Sequence, residues 1–357
     1  MKTINLLNKC DLNVLNNYKV ILNTDYIFIP IKNEDKIVVK KGDKVLKGTL
    51  VYDDIDKLYS SISGIVLDVI NLNNYKYLII KNDFKESTNN TRARDLDSMS
   101  KDDFLSYLNN NNFKNIINNN INNLYINAID NDPYIYNKYM YLKNNIKDIA
   151  ILCKYLKKNF NIENIKIAIK NSYHELLGEY KVDLKYVRVP DIYPVGNNDI
   201  LSKYLISGSN DYIIELKDII DVLYEVIKNK KEHEKYITIN GNNVKNPSVI
   251  SVKIYSYLNN ILSNYTLLDN EYDIILNNSL CGLVVNPKNI IVTDDIDGVI
   301  INKKCKYKTS KCSKCGLCVN VCPMKINPLI KNKKCIKCGL CNFVCPSKIN
   351  IVDEVQR

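Results

Sequence analysis

The run CSKCGLCVNVCP begins at Cys312, and CIKCGLCNFVCP begins at Cys335. Each reads C-x2-C-x2-C-x3-C-P, and together they hold eight of the chain's twelve cysteines. No other feature constrains the fold as strongly. Two-residue gaps let one tight loop present three thiols to three corners of a small inorganic cube. The fourth corner faces away and must be reached by a cysteine from elsewhere in the chain. Gly316 and Gly339 lie inside the loops. Without a Cβ they let backbone come close, so that N–H groups can reach sulfur.

This is the spacing of bacterial two-cluster ferredoxins, in which the fourth cysteine of each run serves the other run's cluster. One [4Fe-4S] cluster is therefore expected on Cys312, Cys315, Cys318 and Cys345. A second is expected on Cys335, Cys338, Cys341 and Cys322. Structural zinc favours two separated cysteine pairs, not a duplicated run of four followed by proline. A disulfide framework is disfavoured by context. The opening MKTINLLNKCDLNVL has no apolar run of seven residues and no export pattern, so a reducing, cytoplasmic setting is expected. Of the other cysteines, Cys153 fits a buried helix face. Cys10, Cys281 and Cys305 are isolated, and the motif needs none of them.

Charge follows the cysteines. Residues 301–357 carry twelve Lys and one Arg against one Asp and one Glu, an excess equal to the whole chain's +11. Two clusters with their thiolates offset about four of these charges. The remainder suits an acidic redox partner such as a small ferredoxin, an anionic lipid surface, or a solvated basic face. Nucleic acid is the weakest option, with no Trp, six Phe and no binding motif. No stretch approaches 18 uncharged apolar residues, so no transmembrane segment is expected and any membrane association is peripheral.

The chain reads as a multidomain α/β and α+β protein. Residues 1–85 are strand-rich, and YIFIPI, KKGDKVLKGTLVY and SISGIVLDV suggest a β barrel-sandwich hybrid of lipoyl type. Lys57 stands near the position of a modified lysine but closer to Gly64 than such a lysine should be, so an unmodified surface residue is expected. Residues 83–123 look polar and boundary-like, and NNNNFKNIINNNINN (109–123) reads as a drifting helix or loop. Over 86–208, strands at LYIN, IKIAI and LKYVRV alternate with helices near 135–158, 171–178 and 197–206, which argues for a Rossmann-like α/β layer. Residues 209–300 suggest a smaller α+β unit with a helix at 215–230, and 301–357 the cluster module.

In this order the parts resemble the C subunit of the Rnf electron-transport complex, a family related to the flavin-binding subunit of complex I. INAIDNDPYIYNKYMYLKNN is similar to its Asn-x-x-Glu-Cys-Glu-Pro-Tyr segment, and YPVGNNDILSKYL to its Tyr-Pro-x-Gly segment. YITINGNNVKNPSVISV resembles the start of its soluble-ligand-binding β-grasp (SLBB-like) domain. The resemblance implies single-electron relay through the clusters, with a ferredoxin and membrane Rnf subunits as partners. It also implies FMN and NADH, and here the residues disagree. The family's glycine-rich flavin loop has no counterpart, because no glycine stands between Gly64 and Gly178. Asp130, Asn131 and Asp132 replace the family's Glu-Cys-Glu. These aspartates are expected to cap a helix holding Pro133 in its first turn, with a residual cofactor pocket as the alternative. Two rival functions stay open: a soluble relay feeding a cytosolic reductase, as in proline-reductase systems, and a ligand- or partner-binding protein with purely structural clusters.

Overall fold

The computed structural model describes the chain except residues 1–5, 8–10, 22–23, 56, 73, 90, 109–110, 118–120, 178–181, 231–234, 283, 305–307 and 357. Cys10 and Cys305 lie outside the described residues. Its fold is mixed α/β, built on several sheets.

The first sheet is antiparallel, in the spatial order Tyr26–Ile31, Tyr75–Asn82, Gly64–Leu72, Lys44–Val45. YIFIPI alternates, so Ile27, Ile29 and Ile31 point into one core with Val45, Val66, Leu78 and Ile80. A ribbon of Leu50–Asp53 and Lys57–Tyr59 adds Val51 and Tyr52 to that core. Lys57 starts the returning strand, more than half exposed, 3.5 Å from Asp53.

The first unit does not hold its own N-terminus. Lys19–Ile21 pairs in parallel with Ser248–Val252, and Leu6–Leu7 pairs with Ile192–Tyr193. Short apolar runs complete whichever sheet edge is open, and nothing local says which edge that is.

The second sheet is wholly parallel: Lys185–Val189, Asn164–Lys170, Asn123–Asn127, Asp211–Glu215. Parallel neighbours need crossovers, and helix Asn137–Phe160 provides one. From Asn123–Asn127 the chain builds outward to one side, then returns to place Asp211–Glu215 on the other. The pairing of Asp211–Glu215 with Asn123–Asn127 runs across the division expected at 208–209. The strand at 211–215, helix Leu216–Val222 and the turns through Ile227 belong to this layer, with Ile214, Ile219, Leu223 and Val226 in its core. The run DYIIEL looks like any short strand before a helix, and its partner lies far upstream.

The segment 83–123, read as polar and boundary-like, carries two helices. Ser100 caps helix Lys101–Tyr107 by accepting from Asp103 N at 3.1 Å. Helix Asn111–Ile117 follows. Phe104, Leu108, Phe113 and Ile117 are buried against helix Asn137–Phe160, with the Phe104 ring 5.0 Å from Tyr155 and 5.6 Å from Phe160. Two apolar residues four apart suffice to make a helix face. Arg94 fastens the segment by donating to Glu225 O and Val226 O, both at 2.9 Å.

The third sheet has six strands in the order Val284–Val285, Tyr272–Leu276, Gly298–Lys303, Lys235–Asn240, Ser248–Val252, Lys19–Ile21. Helix Leu258–Leu262 packs on it through Leu258 and Ile261. No described helix is long and apolar enough to cross a membrane.

Candidate metal centre and the cavity beside it

The two cysteine runs fold alike. Lys314, Gly316 and Lys325 take left-handed backbone with φ of 54°, 74° and 55°; Lys337, Gly339 and Lys348 repeat this at 51°, 77° and 56°. Each Lys costs on the order of 1 kcal/mol in that region. The same strain at the same three steps of both copies marks a shape the site needs. Alternating right- and left-handed residues turn successive N–H groups into one concavity, the usual cradle of an anionic cluster. Gly316 and Gly339 then cap the short helices Leu317–Val321 and Leu340–Phe343.

The loops enclose two cavities with crossed membership. Cys312, Cys315, Cys318 and Cys345 line one of about 180 Å³. Cys322, Cys335, Cys338 and Cys341 line a smaller, almost wholly apolar one. The eight cysteines singled out in the sequence line these two cavities, four to each. Ser310 N donates to Ser347 O at 3.0 Å, and Ser347 Oγ donates to Lys311 O at 3.0 Å, joining the copies. Among the described residues no three His, Cys, Asp or Glu side chains crowd closely enough to share one ion. A cube needs no such crowding, since each thiolate binds its own iron.

Burial penalises thiolate in these cavities. It pushes the Cys341 thiol up to about 12 and Cys338 to about 11, and raises Cys318. Cys315 is lowered, chiefly by the Leu317 N–H. Buried sulfur anions need a cationic partner, and bound iron is one that deprotonates its ligands outright. The residues present therefore fit an iron–sulfur group.

The second loop is held by residues that sequence reasoning missed. Tyr193 donates to Cys338 O at 2.6 Å. Asn278 Nδ2 and Cys281 Sγ donate to Lys337 O at 3.2 and 3.1 Å. Cys281 is buried in one apolar group with Cys318, Cys341 and Cys345. Gly339 fits because a Cβ there would stand 2.6 Å from Leu280 Cβ. No periodicity signals these contacts, which join segments more than fifty residues apart. Cys153, by contrast, is buried in its helix as expected, its thiol pushed up to about 12.

A cavity of about 100 Å³ lies at the carboxyl ends of Asn123–Asn127 and Asp211–Glu215, where strand order reverses. Ligands of open α/β sheets bind at such a switch point. Asp130 and Asp132 both line it. The expected cap needs correcting. Helix Asn137–Phe160 begins after Pro133, and Asp130 reaches it by accepting from Lys138 N at 2.9 Å. Asp132 does not cap it: it accepts from Tyr134 N and from Ser279 N and Oγ, at 2.8, 2.7 and 2.9 Å. Burial raises Asp130 to about 6 and also raises Asp132. The chain's own carboxylate thus sits at the helix N-terminus where a phosphate would otherwise be welcome. The lysines of the cavity are paired: Lys138 with Glu215 at 2.6 Å, Lys235 with Asp297 at 2.9 Å, and Lys217 with Asp294. The floor is close-packed, for a Cβ on Gly196 would meet Asp130 O at 2.5 Å.

A 4Fe-4S binding domain matches residues 306–326, which contain the first cysteine run. The C subunit of the ion-translocating oxidoreductase complex of Buchnera aphidicola subsp. Baizongia pistaciae is 21% identical over 358 residues, covering 87% of this chain and 69% of that protein. Its counterpart in Buchnera aphidicola subsp. Acyrthosiphon pisum is 24% identical, covering 57% of this chain and 48% of its own length. Among solved structures, an NAD+-reducing [NiFe]-hydrogenase in the H2-reduced state is similar at TM-score 0.43 and 11% identity, over 54% of this chain and 42% of that one. The chain is a homologue of the C subunits of ion-translocating oxidoreductase complexes, with a segment that matches an iron–sulfur binding domain, and it spans between about half and two thirds of the length of the two Buchnera relatives.

Proposed function

We propose that this chain relays single electrons through two [4Fe-4S] clusters as the C subunit of an Rnf-type complex. Cys312, Cys315, Cys318 and Cys345 would hold one cluster, and Cys335, Cys338, Cys341 and Cys322 the other. Each cluster, when bound, accepts and releases one electron. The observation that carries the reading is the crossed membership of the two cysteine cavities. The chain's own contribution is structural and electrostatic. It offers eight thiols, aims backbone N–H groups at the cluster sites and supplies a lysine excess that offsets their charge.

The domains are read as a barrel-sandwich hybrid over 24–85, a Rossmann-like layer through about 227, a β-grasp unit to 304 and the ferredoxin-type module. Partners are a redox protein on one side and the membrane subunits of the complex on the other, which puts the chain at the cytoplasmic face of the membrane. FMN and NADH do not fit the reading. The cavity at the switch point is about 100 Å³, against roughly 300 Å³ or more for ordinary cofactor sites. Its helix N-terminus is taken by Asp130, and the flavin loop is missing from the sequence.

Anaerobic purification followed by iron and flavin assays on one sample tests this. About eight irons without flavin agree with the reading. Stoichiometric FMN would overturn the flavin-free relay.

A further inference from the structure

The turn at 278–281 stands between two parts of the molecule. On one side it grips the second cysteine loop. Asn278 Nδ2 and Cys281 Sγ donate to Lys337 O at 3.2 and 3.1 Å, and Leu280 O accepts from Asn342 Nδ2 at 3.4 Å. On the other side it is held by Asp132, which is only 2% exposed. One oxygen of that carboxylate accepts from both Ser279 N and Ser279 Oγ, at 2.7 and 2.9 Å, and the other accepts from Tyr134 N at 2.8 Å. The chain enters the turn through Asn277, left-handed at φ 62°, whose side-chain oxygen accepts from Asp297 N and Gly298 N at 2.7 and 3.2 Å. Backbone in that region keeps its direction only where its surroundings fix it, and Asp132 is one of the fixed points.

Lys337 O and Cys338 N–H are the two ends of one peptide unit. Donors on the oxygen strengthen the N–H as a donor, by roughly 10–30% per bond. That N–H, with the one from Leu340, bonds the Cys338 sulfur. A reduced cluster carries one more negative charge than an oxidised one, so hydrogen bonds to its sulfurs favour the reduced form. The first loop has the same peptide without this support: among the described residues no side chain donates to Lys314 O. We propose that Asp132 is a positioning residue for the second cluster: through Ser279 it sets the turn so that Asn278 and Cys281 polarise the 337–338 peptide and raise that cluster's reduction potential. The proposal rests on the relay reading above. It gives an aspartate at the wall of the switch-point cavity a task directed at the cysteine loop.

The test is a potentiometric titration of the iron-loaded full chain, followed through the paramagnetic signals of the two reduced clusters. Removing both donors, Asn278→Ala with Cys281→Ala, should lower the second midpoint. At a fixed potential the reduced-to-oxidised ratio of that cluster should fall about tenfold, which is about 59 mV for one electron. The first midpoint should stay in place, and Cys281→Ser in place of Cys281→Ala should restore part of the loss. Ser279→Ala weakens the hold of Asp132 but leaves its charge. It should lower the ratio about threefold in the parent and leave the donor-free variant unmoved. Asp132→Asn also removes a negative charge, which alone raises the midpoint. It should therefore raise the second midpoint further in the donor-free variant than in the parent, where loosening of the turn opposes the rise. Equal shifts from Asp132→Asn in the two backgrounds would overturn the proposal and make Asp132 a bare charge. So would a Ser279→Ala shift that persists without the donors, or one that the first cluster shares equally. If Asp132→Asn does not load iron, the Ser279→Ala comparison decides alone. Each of these failures leaves two reversible signals in the parent. A parent without a second reversible signal would instead sink the relay reading, and this proposal with it.

Discussion

One motif, written twice, sits in two environments. The first cysteine cavity opens to solvent through Cys312 and Cys315, and its Gly316 has nothing within 4 Å of where a Cβ would stand. The second is backed by Tyr193, Asn278, Cys281 and Leu280, and its Gly339 has no room for a methyl group. Ligand identity and spacing are the same, so any difference in behaviour must come from these surroundings. Exposure and hydrogen bonding to sulfur are the terms that tune such clusters. The comparison teaches that local sequence specifies a site's chemistry while distant segments specify its properties.

The sharpest way to break the comparison is to delete one ligand from each run. Cys318→Ser should cost the first cluster and Cys322→Ser the second, each removing about four irons, with different residual paramagnetic signals on reduction. Loss of the same signal in both variants would disprove the crossing. Next in size are the glycines. Gly339→Ala should destabilise by about 3 kcal/mol or more, because overpacking adds to left-handed strain. Gly316→Ala should cost only about 1–2 kcal/mol. Thermal unfolding of the iron-loaded proteins measures both, and equal losses would mean that the 278–281 turn does not bear on Gly339.

A smaller effect concerns order of loss. On slow exposure to air or a chelator, the signal lost in Cys318→Ser should be the one that fades first in the parent. Tyr193→Phe should shift the midpoint of the second cluster while leaving the first in place, as a potentiometric titration would show.

A separate effect lies away from the cysteine loops. Burial raises Asp130 from 3.8 to about 6, so the folded chain keeps a proton that the unfolded chain has released. The folded state binds more protons between roughly pH 4 and 6, and this group's contribution to stability falls as pH rises through that window. Replacing Asp130 with Asn removes the slope. The stability difference between variant and parent should move in the variant's favour by up to about 3 kcal/mol from pH 4 to pH 7, measured by urea unfolding at both ends. A constant difference would mean that Asp130 titrates normally.

The cysteine loops were legible because their information is local. Cys312 to Cys345 lie within one short stretch, and each gap is fixed by the shape of one loop. The strands at 123–127, 164–170 and 185–189 were legible for the same reason. What escaped was partnership. The strand Asp211–Glu215 went unread, and its neighbour Asn123–Asn127 lies far upstream. Lys19–Ile21 gives no hint that it completes a distant sheet. Phe104 and Phe113 were hidden by the polarity of the residues around them, because burial depends on one face and composition averages over all faces. Cys281 looked idle because its value lies in touching Lys337 O.

The crossing of Cys322 and Cys345 also has a consequence for biosynthesis. During translation Cys312, Cys315 and Cys318 emerge first, yet their cavity is completed by Cys345, the last of the eight to be made. Until then the first loop can offer only three sulfurs, and a cube placed there would leave one iron open to exchange and oxidation. Iron delivery is thus coupled to docking of the second loop on the first. A delivery factor that acts on this chain should recognise the closed pair of loops and pass over the nascent single one.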